Sequence, residues 1–332
     1  MTFDPQLADT QCVALTAKKN RCRLTTGAGA NSLCHIHTKN DAKCGRVEHE
    51  YDISFMFPAI RQNLWKGVYE SLKLSCKRYN WELVFCGPFP LPPDLEGIPN
   101  VKAVKETGNV SRAVQIGVLH TKGKLIFIGN DDTVYREDQF DLALDKYTAE
   151  CGPKDIMQCT YVEMGERGGQ PHGNEYWSVA LHGAFLPLSG IDMSWKMATE
   201  PVLHREYFID MGGYDCAWEY MDSSTHDFMF RAQKNGSNII YSPDYVGDMN
   251  WWPDHQGDHG PIHDAMVLHD QALLFQIWGT VTTSVNRLKL DYDNWKLAPE
   301  VWVRRFPGKV YDTYQELWDG EGYTMEWKPG PG

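Results

Sequence analysis

The chain has no apolar run long enough to span a bilayer and no secretory signal at its Met1-Thr2-Phe3-Asp4-Pro5 start, so a cytosolic protein is expected. No internal repeat is visible. Positive charge is in short supply: 32 Lys and Arg face 44 Asp and Glu, a formal net charge of −12 that argues against a generally nucleic-acid-coating surface. With 23% charged and 42% hydrophobic residues over 332 positions, the composition is that of a globular protein able to bury one large core or two smaller ones. Nine cysteines, several beside histidines, fit reduced thiols and metal binding better than a disulfide scaffold.

The first fifty residues differ from the rest. Cys12, Cys22, Cys34 and His37 form a C-x9-C-x11-C-x2-H series, with His35 and Cys44 as spare candidates. Three thiolates and one imidazole can close a tetrahedral Zn2+ site, and the metal would supply folding energy that so small a core lacks. The phrases Gln11-Cys12-Val13-Ala14-Leu15-Thr16 and Cys34-His35-Ile36-His37 resemble a small zinc-binding module that recurs in viral and phage proteins. Lys18, Lys19, Arg21, Arg23, Lys39, Lys43 and Arg46 surround one acid, Asp41, a local charge that could sit on phosphates or on a solvated surface.

From Tyr51 strands and helices alternate. The sequence predicts strands at 53–57, 82–86, 101–104, 125–128, 156–162 and 239–241. Helical spacing runs over 64–79, 110–119, 206–211, 228–234 and 264–279. Alternation of this kind implies a mostly parallel, doubly wound sheet. Residues 163–175 are Gly-rich and polar and are expected to form a movable loop. The central feature is Leu125-Ile126-Phe127-Ile128-Gly129-Asn130-Asp131-Asp132, a brief buried strand running into two adjacent carboxylates. Hard oxygen ligands at the rim of such a sheet suit a divalent cation bound by a diphosphate. Asp227 falls at a helix start, with the carboxylate expected in the first turn where the helix dipole favours it.

Taken in order, residues 51–280 resemble the GT-A-fold glycosyltransferases of the family 2 type. Ile53-Ser54-Phe55-Met56-Phe57-Pro58 is similar to the opening strand, and Ser111 to Gly117 to the helix beside the nucleotide, with Gln115 where the family usually has Asn. Gly123 to Asp132 resembles the strand and metal motif, with Asn130 where many members have an acid. Gly212-Gly213-Tyr214-Asp215, then His226-Asp227 and Gly236, resembles the segment carrying the catalytic base, with His226 in place of the usual Glu.

The resemblance implies a small zinc module at 1–50, a GT-A domain at 51–285 and a wrapping segment at 286–332. It implies a metal-dependent, inverting transferase that moves a sugar from a nucleotide, UDP foremost, to an acceptor hydroxyl. Pro58, Arg112, Asp131 and Asp132 would contact the donor. Asp132 would hold Mn2+ or Mg2+ with one histidine, His259 ahead of His263 and His255, and Asp227 would deprotonate the acceptor. A basic module of viral or phage type beside the transferase suggests a hydroxymethylated base in DNA as acceptor, in the host cytoplasm if the chain is viral. Glycan, lipid or protein hydroxyls are the alternative, and a non-catalytic nucleotide-sugar or partner-binding protein is a further one. A nucleotidyltransferase would carry a Gly-rich basic loop after the first strand, where this chain reads Pro58-Ala59-Ile60-Arg61-Gln62-Asn63.

Overall fold

The chain divides into two compact units, Met1–Glu50 and Tyr51–Gly332. The structure, a computed structural model, describes residues 49–164, 170–172, 196–250, 265–278 and 289–298. The expected zinc ligands Cys12, Cys22, Cys34 and His37 lie outside the described residues, as do His255, His259, His263, Trp251 and Trp252.

The second unit is built on a mostly parallel sheet. Strands β1 (Tyr51–Pro58), β2 (Trp81–Gly87), β3 (Val101–Lys105), β4 (Gly123–Ile128), β6 (Ile156–Gln158), β9 (Pro201–His204) and β10 (Ile239–Tyr241) lie in the order β10-β6-β9-β4-β1-β2-β3. Pairings are parallel except those of β9, which runs antiparallel to β4 and β6. Helices α1 (Trp65–Ser75), α2 (Val110–Leu119), α3 (Gln139–Glu150), α4 (Arg205–Asp210), α5 (Met221–Lys234) and α6 (Gln271–Trp278) accompany it. The α/β class expected from the sequence is the one observed.

The central strands read as unbroken apolar runs because both faces are covered. Ile53, Phe55 and Phe57 of β1, Leu83 and Phe85 of β2, and Leu125 and Phe127 of β4 pack with Trp65, Leu72, Phe140 and Leu144 of α1 and α3. Their alternate residues Met56, Val84, Cys86, Ile126 and Ile128 pack with Val114, Val118, Phe208, Phe228 and Trp278 of α2, α4, α5 and α6. Side chains that alternate across a strand thus feed two separate apolar layers. Each fully buried large side chain contributes about 1.5–3 kcal/mol relative to exposure.

Three local expectations need correction. The run 156–162 is two strands: β6 ends at Gln158, and β7 (Tyr161–Met164) belongs to a second sheet with β5 (Thr133–Tyr135), β8 (Gln170–His172) and β11 (Gly247–Asn250). At the break, Cys159 N–H donates to the Glu200 carbonyl at 3.0 Å while Thr160 N–H donates to Ser242 Oγ at 2.9 Å. The described parts of the expected 163–175 loop pair as β7 and β8, with Tyr161 opposite His172. Helix α5 starts at Met221, so Asp227 sits in its second turn. The earlier start is fixed by Asp270, whose carboxylate accepts from the Glu219 and Tyr220 N–H groups at 3.1 and 2.8 Å.

Among the described residues, no helix is long and apolar enough to cross a membrane. The cysteines described, Cys76, Cys86, Cys151, Cys159 and Cys216, are free thiols.

Candidate active site

Chain direction across the sheet reverses between β1 and β4: from β1 the chain proceeds to β2 and β3 on one side, then returns to β4 on the other. The crevice outside the carboxyl ends of two such strands is where open α/β sheets bind ligands. Here the loop after β1 meets the carboxylates after β4. Asp131, 1% exposed, accepts at Oδ2 from Ile60 N–H (2.7 Å), Arg61 N–H (2.6 Å) and Trp65 Nε1 (3.1 Å), and at Oδ1 from Arg61 Nη1 (2.7 Å). Trp65 is itself fixed by stacking on Phe85, with centroids 4.3 Å apart. Four donors on two oxygens make Asp131 the anchor of the β1 loop. The contact with the donor expected of Asp131 would have to be made by a carboxylate already engaged in this way.

Asp132 is 5% exposed, and its Oδ2 lies 3.6 Å from Arg61 Nη1. The guanidinium therefore serves both carboxylates, and Arg61 itself is buried, a setting in which charge is retained only when paired. Sequence reading passed over Arg61, although a buried strand followed by an arginine was visible. Pro58 ends β1 opposite Cys86 of β2, at the carboxyl edge where it was expected. Arg112 lies in the first turn of α2, whose start is capped by Asn109 Oδ1 accepting from Arg112 N–H at 2.8 Å. Its guanidinium pairs with Glu106 (Nε–Oε1 3.0 Å) and lies over the Trp295 ring at 5.9 Å. A diphosphate would have to compete with Glu106 for it.

Asp227 stands elsewhere than the sequence suggested. It is fully buried, with Oδ2 accepting from Arg231 Nε at 2.9 Å and Oδ1 accepting from Trp278 Nε1 at 2.9 Å. Arg231, equally buried, donates onward to the carbonyls of Met211 (2.8 Å) and Gly213 (2.5 Å). The pair is a clamp holding α5 to the Gly212-Gly213 turn, whose glycines take φ of +87° and +65°. In this arrangement both carboxylate oxygens are engaged, whereas the general base expected at Asp227 has to present one of them to an acceptor. Gln115, expected beside the nucleotide, serves the same turn. Its Oε1 accepts from Tyr214 N–H at 3.0 Å, and its Nε2 donates to Gly212 O at 3.0 Å and Tyr292 O at 3.2 Å. Trp218 is a core residue.

No protein-family model matches the chain, and a search of curated proteins finds no match either. Among solved structures, S. aureus TarS 1–349 in complex with UDP aligns with a TM-score of 0.42 and 11% identity, over 67% of this chain and 65% of that one. S. aureus TarS aligns with a TM-score of 0.43 and 11% identity, over 67% and 40%. TarS 1–349 in complex with UDP-GlcNAc gives 0.45 and 12%, over 67% and 66%. The match spans less than two thirds of each of those chains.

One residue that the sequence reading missed belongs to this edge. Because β9 is antiparallel to β4, its N-terminal end, with Glu200 just before it, arrives beside the end of β4. Glu200 is 1% exposed, and Asn130 Nδ2 donates to its Oε1 at 3.0 Å. Burial pushes its carboxyl up to about 8, the charge of Asp132 adds to the rise, and the Asn130 hydrogen bond opposes it. Among the described residues, no group of three His, Cys, Asp or Glu is placed to hold a metal ion. Of the expected catalytic-metal ligands, Asp132 lies beside Arg61 after the end of β4 and His259 lies outside the described residues.

Proposed function

We propose that the chain is a nucleotide-sugar-dependent glycosyltransferase of GT-A type, with UDP as the carrier. The observation that supports it is the crevice at the strand reversal, where Asp131 pins the β1 loop and sets Asp132 and Arg61 side by side. The pinned loop presents Pro58 and the 59–64 backbone to the nucleotide. Arg61 supplies fixed positive charge near a departing diphosphate, which is the charge such a transfer must neutralise. Asp132 with His259 would hold Mn2+ or Mg2+, and when bound the cation would add Lewis-acid neutralisation of the same diphosphate. Arg112 is at the same edge and would reach a phosphate by leaving Glu106. Inversion at the anomeric carbon requires a base on the acceptor side, and Asp227 would serve by releasing one oxygen from Arg231 or Trp278. A hydroxymethylated base in DNA stays the proposed acceptor, on the basic character of residues 11–46, with Zn2+ on Cys12, Cys22, Cys34 and His37. The sequestered Asp227 favours a second reading, in which the crevice binds a nucleotide sugar without transferring it.

Thermal unfolding with MnCl2 and UDP, GDP, CMP or dTDP tests the first reading, in the wild type and in Asp132→Ala. Nucleotide at one hundred times its Kd should stabilise the protein by about 2.7 kcal/mol. The expected result is a shift with UDP that Asp132→Ala abolishes. No shift with any nucleotide would overturn the reading. A shift without release of UDP from UDP-sugars over a panel of acceptors would select binding without transfer.

A further inference from the structure

Helices α2 and α5 lead into β4 and β10, strands of like direction, so both helices begin at the carboxyl edge of the sheet. Their starts are joined there: Ser111 Oγ donates to Trp218 O at 2.9 Å, and Asn109 Nδ2 donates to Cys216 O at 2.7 Å. The next two residues, Glu219 and Tyr220, give their N–H groups to Asp270. Asp270 in turn holds His269, whose Nδ1 lies 2.7 Å from its Oδ1. A continuous line of contacts therefore runs from the helical turn that carries Arg112 to an imidazole with no part in the donor crevice. The carboxylate of this pair is 1% exposed and the imidazole 31%. Both residues end a π-helical turn, Met266–Asp270, that opens into α6. Turns of this kind are uncommon and recur at functional sites. Because Asp270 accepts two backbone N–H groups, the hydrogen it shares with His269 belongs to Nδ1, and Nε2 is then the proton-accepting nitrogen of the ring.

We propose that His269 takes the proton of the acceptor hydroxyl, with Asp270 as its positioning residue. This rests on the nucleotide-sugar reading above and names the group that serves its acceptor side. A partly exposed imidazole backed by a buried carboxylate is the arrangement of a general base and the group that orients it. As the acceptor oxygen bonds to the anomeric carbon, the bond from that carbon to the diphosphate breaks. The nucleoside diphosphate leaves with the electron pair, and the hydroxyl proton passes to Nε2. The imidazolium so formed is stabilised by the Asp270 carboxylate and then returns its proton to solvent. Asp227 would have to part from Arg231 or Trp278 to do the same, whereas His269 keeps its bond to Asp270 throughout.

The test is the rate of UDP release from UDP-glucose, UDP-galactose and UDP-GlcNAc by the full chain with MnCl2, to water and to duplex DNA carrying hydroxymethylcytosine, with UDP affinity measured by calorimetry. The variants are His269→Asn, His269→Ala, Asp270→Asn and Asp227→Asn. In His269→Asn the amide N–H can still donate to Asp270, so the clasp on α5 is kept while the base is removed. The expected result is a kcat lowered by roughly 10²- to 10⁴-fold, with KM and the Kd for UDP unchanged within about twofold. Asp270→Asn should show the same split between kcat and KM with a smaller loss. Turnover of His269→Ala should recover several-fold as free imidazole is added. An unchanged kcat in His269→Asn would overturn the proposal. A loss shared by kcat and UDP affinity, or one that imidazole does not relieve, would make His269 structural and overturn it too. Turnover lost in Asp227→Asn and kept in His269→Asn would give the role to Asp227. If His269→Asn does not fold, His269→Ala with wild-type kcat overturns the proposal alone. A wild type that binds UDP but releases none to either acceptor leaves no proton to transfer and also overturns it. A wild type that binds no nucleotide at all is the distinct signature of the parent reading failing, and the base assignment falls with it.

Discussion

The pH dependence of stability offers a direct measure of the Glu200 environment. Its carboxyl rises from 4.5 to about 8 on folding, chiefly through burial. An acid whose folded pKa is raised binds more protons in the folded state than in the unfolded state between those two values. Stability therefore falls as pH rises through that window. The penalty is absent below pH 4.5, amounts to roughly 3 kcal/mol at pH 7 and levels off near 5 kcal/mol above pH 8. These are upper figures, since water entry and side-chain relaxation reduce the cost of a buried charge. Glu200→Gln removes the titration and keeps an oxygen for Asn130. Urea unfolding followed by tryptophan fluorescence, with EDTA and without nucleotide, should show the variant gaining on the wild type by a few kcal/mol from pH 5 to pH 9.

The other groups facing Glu200 sharpen the reading. Burial pushes the Tyr135 hydroxyl and the Cys159 thiol well above their ordinary values, so neither titrates in this window. Asp132 is the coupled partner, and Asp132→Asn should shift the window downward by removing a neighbouring negative charge. A difference between variant and wild type that stays constant from pH 5 to pH 9 would refute the argument, because it would mean that Glu200 ionises as it does in water.

Three further substitutions test the framework around the crevice. Asp227→Asn leaves Arg231 buried without its counter-charge and should cost about 3–5 kcal/mol in urea unfolding at pH 7; full stability with loss of turnover would support the catalytic assignment. Asp131→Asn leaves fewer acceptors for four donors, so hydrogen exchange at the Ile60 and Arg61 amides should rise while distant strands stay protected. At Gly213, with φ of +65°, an added Cβ would meet Gln115 Oε1 at 1.9 Å, so Gly213→Ala should cost about 2 kcal/mol or more. Pairing it with Gln115→Ala should recover the clash component and leave the backbone component, measured as a coupling energy.

What the sequence made legible follows the range of the interactions concerned. The central strands could be read because both faces are covered, which leaves Phe55-Met56-Phe57 and Leu83-Val84-Phe85 as continuous apolar runs. The 156–162 run was read as one strand because apolar character continues through the point where the chain changes sheets. Helix α3 was not assigned, although its buried Phe140, Ala143, Leu144 and Tyr147 recur at i, i+3, i+4 and i+7, a helical spacing present in the sequence.

The same distinction separates the site residues. Asp131 and Asp132 were visible because a buried strand runs straight into them. Arg61, seventy positions away, becomes their partner only through the parallel pairing of β1 with β4, and Glu200 only through the reversed direction of β9. Neither pairing leaves a mark in local periodicity. Asp227 is the opposite case, because its true partner was four residues on. An Asp and an Arg at i and i+4 share a helix face, and on an apolar helix they are drawn together whatever else the segment resembles. Position along the chain put Asp227 where a base was expected, while its own helix turn put it in a buried pair. Proton transfer needs access to the acceptor, which chain order does not supply. For Asp227 to take a proton from an acceptor, one of its oxygens would first have to leave Arg231 or Trp278.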